Sequence, residues 1–279
     1  DQADPGKIQI ITTLTNVIAV AIENKRLFKK QVRQEHEMRL AAEMQHKLIP
    51  SEFPKCDSFE VAKIYMPHYE VGGDFFDVIN YRPNAYLFCV ADIAGKGLAA
   101  AILMANFEAA LRVLVEKSHE EFEFIRELNR AVNRITKGDR FITFFAAEFD
   151  DETKQLRYIN AGHVPPLLLL RGGEELILLD KGCTLLGAFN QLKKIEIGKI
   201  LIEEDALLVV FTDGITDIRN EAGTFFDEQK LADFARQYAT FAPQNFNDQL
   251  LAHLHQYKGA TDFPDDITVL TCKFFIKHK

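Results

Sequence analysis

Four short segments place aspartates beside glycine or another aspartate at the edge of an apolar run: GGDFFD (Asp74, Asp77), VADIAGKG (Asp92), VVFTDG (Asp213) and FPDDIT (Asp265, Asp266). Strand ends that present carboxylates, with glycines that let the backbone come close, build all-oxygen sites for hard divalent cations. Two unit charges about 4 Å apart repel by about 4 kcal/mol at an effective dielectric of about 20. Several aspartates therefore converge only where protons or cations neutralise them. A pair of ions about 3.5 to 4 Å apart does so, and aligns an attacking water with a phosphorus or carbonyl centre. The chemistry expected is that of a metal-dependent hydrolase. Asp92 is the carboxylate best placed to bridge two ions, because it closes the apolar run YLFCVAD just before the tight AGKGL turn. A backbone carbonyl of that turn, at Ile93 or Ala94, supplies a further oxygen. AGKG is not a phosphate-cradling loop of the Walker type, since Leu98 stands where serine or threonine is needed and the glycine spacing is wrong.

The elements that must position these residues follow from periodicity. Short apolar runs bounded by turn signals predict strands at 59–66, 86–91, 141–149, 156–159, 166–170, 175–179, 194–197, 206–211 and 267–275. DETKQ and RGGEE read as hairpin turns. Helical spacing is found over 98–116, 120–136, 227–239 and 243–255. Helix pairs set between strands predict an α+β protein, with two antiparallel sheets face to face and helices on their outer faces. Phenylalanines such as Phe75, Phe76, Phe141, Phe144 and Phe145 are expected to fill the space between the sheets.

Ahead of this, residues 7–49 contain neither proline nor glycine and predict one long helix ended by Pro50. Ile11, Leu14, Ile18, Ala21, Phe28 and Val32 fall at heptad spacing, with Lys25 interrupting; after Val32 the phase shifts to Leu40, Ala41, Met44 and Leu48. A coiled-coil homodimer through residues 7–49 is expected, with an amphipathic helix folded on its own domain as the alternative. The division is thus 1–50, a linker helix, and 51–279, the catalytic domain. The opening DQADPGK reads as the interior of a larger parent protein.

With 279 residues, 47% of them hydrophobic, the chain can bury a full core. A net charge of −8 argues against nucleic acid or an anionic membrane as main partner, since both demand a basic face. Cys56, Cys89, Cys183 and Cys272 are scattered, so reduced thiols are expected rather than a zinc knuckle or disulfides. The apolar stretch near the start is too short and too polar to span a bilayer and lacks the marks of a signal peptide. A cytoplasmic location is expected.

Taken in order, AAEMQHKLIP (41–50), GGDFFDV (72–78), ADIAGKGLAAAILMA (91–105), INAGHVPPLLL (159–169), LLG (185–187), FTDGITD (211–217) and DDIT (265–268) resemble the bacterial branch of the protein phosphatase 2C family. That branch includes the sporulation stage II protein E phosphatase and stress-response regulators that activate anti-sigma-factor antagonists. The resemblance implies an αββα sandwich and a serine/threonine phosphatase using two manganese or magnesium ions. Carried over by position, Asp92 bridges the metals, Asp74 binds one together with the Ile93 carbonyl, and Asp213 and Asp265 hold the other. Asp266 is the alternative to Asp265. The implied substrate is a phosphoprotein, an anti-sigma-factor antagonist. LTNVIAVAIENKRLF is similar to the helix that leaves a GAF sensor domain, which makes the chain the output half of a signalling protein. A pseudophosphatase scaffold and a two-metal hydrolase of small phosphoesters are the competing classes; the first sits poorly with aspartate at every ligand position.

Other motif residues have plainer readings beside functional ones. His163 is either a proton donor or structural, Asn160 orients a loop, Asp77 holds a metal-bound water or caps its strand, and Lys96 attracts phosphate or is merely solvated. His253 and His255 fall on different helix faces and make no metal pair.

Overall fold

The computed structural model describes residues 5–118 and 121–276. The chain divides into two compact units, one ending at Met44 and the other beginning at Gln45.

The first helix, α1 (Pro5–His46), spans 42 residues. It stops short of the predicted end at Ile49: Leu48 N–H turns back to the Gln45 carbonyl, and the chain leaves the helix ahead of Pro50. Within the first unit, Leu14, Ile18, Phe28 and Val32 are all exposed, as are Val17, Val20, Ile22 and Leu27 off that heptad line. The polar faces carry i,i+4 pairs such as Gln31–Glu35 and Arg33–Glu37.

In the second unit two sheets pack face to face. One is ordered β1 (Phe59–Met66), β11 (Ile267–Phe274), β10 (Ala206–Phe211), β6 (Leu167–Leu170) and β7 (Glu175–Leu178). The other runs β2 (Phe75–Arg82), β3 (Ala85–Ile93), β4 (Ile142–Asp150), β5 (Gln155–Ala161) and β8 (Gly182–Cys183), with β9 (Gly198–Leu201) also on β5. Helices α2 (Leu98–Lys117) and α3 (Phe124–Thr136) cover the second sheet; α4 (Glu228–Tyr238) and α5 (Pro243–Lys258) cover the first. The expected αββα sandwich is the observed one.

Alternation along β10 shows why the layers hold. Ala206, Leu208 and Val210 enter the core between the sheets, while Leu207, Val209 and Phe211 pack under α4 and α5. In the inter-sheet core Phe59 meets Tyr86, Phe88, Phe149 and Phe274 edge-on or nearly so. Each fully buried phenylalanine contributes about 1.5 to 3 kcal/mol. Phe76 and Phe145 face the space between the sheets as expected, whereas Phe75 and Phe144 lie on the opposite face and pack on Phe107 of α2, and Phe141 lies at the mouth of β4, 45% exposed.

The departures from expectation are local. Strand β2 was not predicted because Asp77 and Asn80 break its apolar run, although its first five residues are buried in succession. The strand expected over 194–197 is irregular, and pairing with β5 starts only at Gly198, where the chain lies flat against the Tyr158 ring. Strands β5 and β8 form one short parallel pair among otherwise antiparallel ones. Helix α3 starts at Phe124 rather than at 120, a position outside the described residues. Helix α2 is long and apolar enough to cross a membrane by composition, yet its buried face, including Met104, Phe107 and Leu111, belongs to the core over the sheet.

Candidate metal centre

Strand register brings the aspartates to one end of the sandwich. In the β2–β3 hairpin Phe75 pairs with Ala91, so Asp74, just before β2, comes beside Asp92, the penultimate residue of β3. In the facing sheet Phe211 pairs with Val269, which sets Asp213, just after β10, beside Asp265 and Asp266, just before β11. Each sheet thus contributes a pair of carboxylate-bearing ends.

Their electrostatics show the convergence. Burial, then the charges of Asp213, Asp265 and Asp266, push Asp92 up to about 7, against a smaller opposing pull from Lys96. Asp74 is buried and held well above the carboxylate range by desolvation and by Asp92 and Asp266. Asp213 is lifted by desolvation and by Asp217 and Asp265. Among the described residues, no three His, Cys, Asp or Glu side chains gather tightly enough to form a closed ligand cage. Mutual repulsion keeps such like charges apart, and part of the charge is balanced locally: Lys96 Nζ lies 2.7 Å from Asp265 Oδ2.

The surroundings distinguish the carboxylates. Thr212 and Thr268 donate their hydroxyls to Asp74 Oδ2 at 2.8 and 2.6 Å, fixing its rotation. Asp266 spends both oxygens on backbone: Oδ1 accepts from His68 N–H and Oδ2 from Gly73 N–H, each at 2.7 Å. Asp265 accepts only the adjacent Asp266 N–H and the Lys96 pair, and its side chain is 33% exposed. Of the two carbonyls in the turn after β3, that of Ala94 accepts from Arg140 Nη1 at 2.9 Å, whereas that of Ile93 faces Gly73 so closely that a Cβ there would stand 2.9 Å away. The donor set of Asp74, Asp92, the Ile93 carbonyl, Asp213 and Asp265 is all oxygen and anionic, and suits a hard divalent cation.

Asp77 has a different place from either one expected. It is buried on β2, pairs with Arg112 Nη2 of α2 at 2.7 Å, and shares that arginine with Glu108. The pair ties α2 to the strand that delivers Asp74. Lys96 is a carboxylate partner rather than a free solvated turn residue. Asn160 holds a loop as expected, its side chain accepting from His163 N–H and donating to the Leu179 carbonyl.

His163 is structural. Its Nδ1 lies 2.9 Å from Thr143 Oγ1, and burial lowers its pKa to about 4 against a smaller opposing pull from the Phe211 backbone. The ring is neutral at physiological pH, and its remaining N–H is far too weak an acid to serve as the proton donor. Phosphate release by His163→Gln is expected to fall by far less than the ~10²-fold that loss of a general acid costs, with the pH profile keeping its shape. Disappearance of a limb of that profile would restore the catalytic role. His253 packs against the rings of Phe226 and Phe234, and His255 against Phe263, so the two do not meet.

Thr212 and Thr268, which hold Asp74, and Tyr65 and Gln45, which lie against Gly72 two residues before it, were not predicted. Three of them lie inside motifs read for their aspartates or only for resemblance: FTDG, DDIT and AAEMQHKLIP.

Residues 82–275 match the Stage II sporulation protein E (SpoIIE) family. The phosphoserine phosphatase RsbU of Bacillus subtilis is 26% identical over 231 residues, covering 81% of this chain and 68% of RsbU. The SiaA-PP2C domain of Pseudomonas aeruginosa superposes with a TM-score of 0.77 at 21% identity, over 88% of this chain and 98% of that one. RsbX in complex with magnesium superposes with a TM-score of 0.59 at 17% identity, over 80% of this chain and 98% of that one. The family match spans most of the chain and includes Asp92 from one sheet and Asp213, Asp265 and Asp266 from the other, so this chain belongs to the SpoIIE family and has the PP2C fold.

Proposed function

We propose that the chain is a metal-dependent protein serine/threonine phosphatase and the output domain of a signalling protein. The observation that carries this is the convergence of Asp74, Asp92, Asp213 and Asp265, from four separate strand ends, onto one anionic oxygen-lined centre. Two manganese or magnesium ions are the cofactors, held by Asp74, Asp92, the Ile93 carbonyl, Asp213 and Asp265. When bound they supply an activated water and stabilise charge on the phosphoryl oxygens. The chain's residues do the rest: the threonines orient Asp74, Asp266 secures the loop before it, and Lys96 places a cation beside the centre. The kinship with a phosphoserine phosphatase supports phosphoserine or phosphothreonine on a protein as substrate, and an anti-sigma-factor antagonist as that protein. Its setting is the cytoplasm.

The test is phosphate release from a phosphoserine protein and from an aryl phosphate, with and without manganese. Manganese-dependent release with strong preference for the protein supports the proposal; equal turnover of the aryl phosphate makes the chain a small-phosphoester hydrolase, and manganese binding without turnover of either makes it a scaffold.

Residues 1–50 are read as a linker helix following a sensor of the GAF type, and 51–279 as the phosphatase domain. The exposed stripe of Leu14, Ile18, Phe28 and Val32 supports a parallel partner, because heptad apolar positions on a 42-residue helix leave a seam that a second copy buries. The chain is expected to sediment as a dimer and the double variant Ile18→Asp, Phe28→Asp as a monomer. A monomeric unmodified chain at micromolar concentration would remove the coiled-coil reading.

A further inference from the structure

The Gln45 side chain is buried, 6% exposed, although it is polar and stands at the end of a helix. It grips one residue through the two peptide groups that flank it: Nε2 donates to the Gly72 carbonyl at 2.7 Å, and Oε1 accepts from Gly72 N–H at 3.1 Å. Two opposed hydrogen bonds from one planar amide fix both the position and the rotation of the backbone they hold. Gly73 follows, its N–H bound by Asp266, and Asp74 comes next.

The remaining space around Gly72 is closed. A Cβ there would meet Asp266 Oδ2 at 2.7 Å and Tyr65 Oη at 3.1 Å. The Tyr65 hydroxyl is itself buried without a hydrogen-bond partner, and its pKa is raised by burial and by the charges of Asp266 and Asp74. Gln45 is therefore the group that satisfies both the N–H and the carbonyl of Gly72 in a place that water does not reach.

We infer that Gln45 is a positioning residue of the metal centre: its amide sets the main chain at Gly72 from which Asp74 is presented toward Asp92. Thr212 and Thr268 orient the carboxylate, and Gln45 orients the backbone that bears it. Gln45 is also the penultimate residue of α1, so the end of that helix and the Asp74 loop are held by the same pair of hydrogen bonds. This rests on the phosphatase reading and adds a residue outside the aspartate set on which metal affinity depends.

The test is manganese binding by titration calorimetry, with melting temperatures measured in chelator, for the chain and for Gln45→Ala, Gln45→Glu and Ile49→Ala. Ile49 is a buried core residue close by in sequence and serves as a control for general loosening. Gln45→Ala is expected to weaken manganese binding by about tenfold or more, as loss of a group that orients metal ligands does. Gln45→Glu keeps the acceptor for Gly72 N–H but sets a carboxylate against the Gly72 carbonyl, and is expected to weaken it similarly; it carries the comparison if the alanine variant does not fold. Ile49→Ala is expected to lower the melting temperature with affinity unchanged. Unaltered affinity in a folded Gln45 variant, or equal weakening by Ile49→Ala, overturns the inference while the phosphatase reading stands. An unmodified chain that neither binds manganese nor releases phosphate overturns both.

Discussion

Asp92→Asn is expected to reduce manganese-dependent phosphate release by more than about a hundredfold, while the same substitution makes the metal-free chain more stable. Asparagine keeps the size and one oxygen but removes the charge that faces all the other carboxylates of the centre. Outer partners of metal ligands cost about 10- to 100-fold when lost, and Asp92 is proposed to touch the ions directly. The stabilisation follows from the other side of the same arrangement. Burial and the charges of Asp213, Asp265 and Asp266 hold Asp92 at about 7, against about 3.9 in an unfolded chain. Between those values the folded chain binds a proton that the unfolded chain does not, so stability is fully present below about pH 4 and is lost as pH rises through about 7. Each unit of that shift corresponds to about 1.4 kcal/mol, so the total is a few kcal/mol. Thermal unfolding in chelator from pH 4.5 to 8, at about half-unit steps, should show this fall in the unmodified chain and a flatter profile in Asp92→Asn. Retained turnover, or a lower melting temperature for Asp92→Asn in chelator at pH 8, would sink the assignment.

Gly214→Ala is expected to be the most damaging small substitution in the centre. Gly214 follows Asp213 where β10 turns sharply, with Ile215 N–H bonded to the Thr212 carbonyl and Asp217 N–H to that of Asp213. A Cβ at 214 would run into the Asp266 carbonyl, with the Asp265 carbonyl carbon at 3.6 Å. Both obstacles are backbone, so nothing flexible can give way. The segments bearing Asp213 and Asp265 must separate, which costs about 3 kcal/mol, the upper range for overpacking, and spoils the facing carboxylates together. The expected result is a melting temperature several degrees lower and manganese affinity reduced at least about tenfold. Gly223→Ala is the contrast: a Cβ there meets nothing within 4 Å, though its φ of +80° is strained, so manganese affinity should be unchanged. Equal manganese affinity in Gly214→Ala and the unmodified chain would show that the approach of these two segments is not needed.

The parts of this protein legible in the sequence are those with a local physical cause. Apolar alternation and turn residues placed most strands and four of the five helices within a few positions, because burial on one face writes a period into the chain. Asp74, Asp92, Asp213 and Asp265 stood out because a carboxylate beside glycine at the end of an apolar run has few bland explanations. Strand β2 was missed because Asp77 and Asn80 interrupt its apolar residues, whereas the equally buried β10 and β11 keep long apolar runs. Where the sequence left Asp265 and Asp266 open, the fold separates their tasks: Asp266 binds two backbone N–H groups from the loop 68–73, some two hundred positions away, while Asp265 faces Lys96. Asp77 likewise needed its partner, Arg112 on α2, before it had a role. Gln45 and the two threonines carry no chemistry in isolation, and only the convergence of distant strand ends gives them a peptide or a carboxylate to hold. Sequence alone determined which groups have the chemistry for a hard-cation hydrolase and which periods build the sandwich. Tertiary structure decided which carboxylate takes up backbone N–H groups and which pairs with Lys96, since contacts between residues far apart in the chain exist only once the sheets have met.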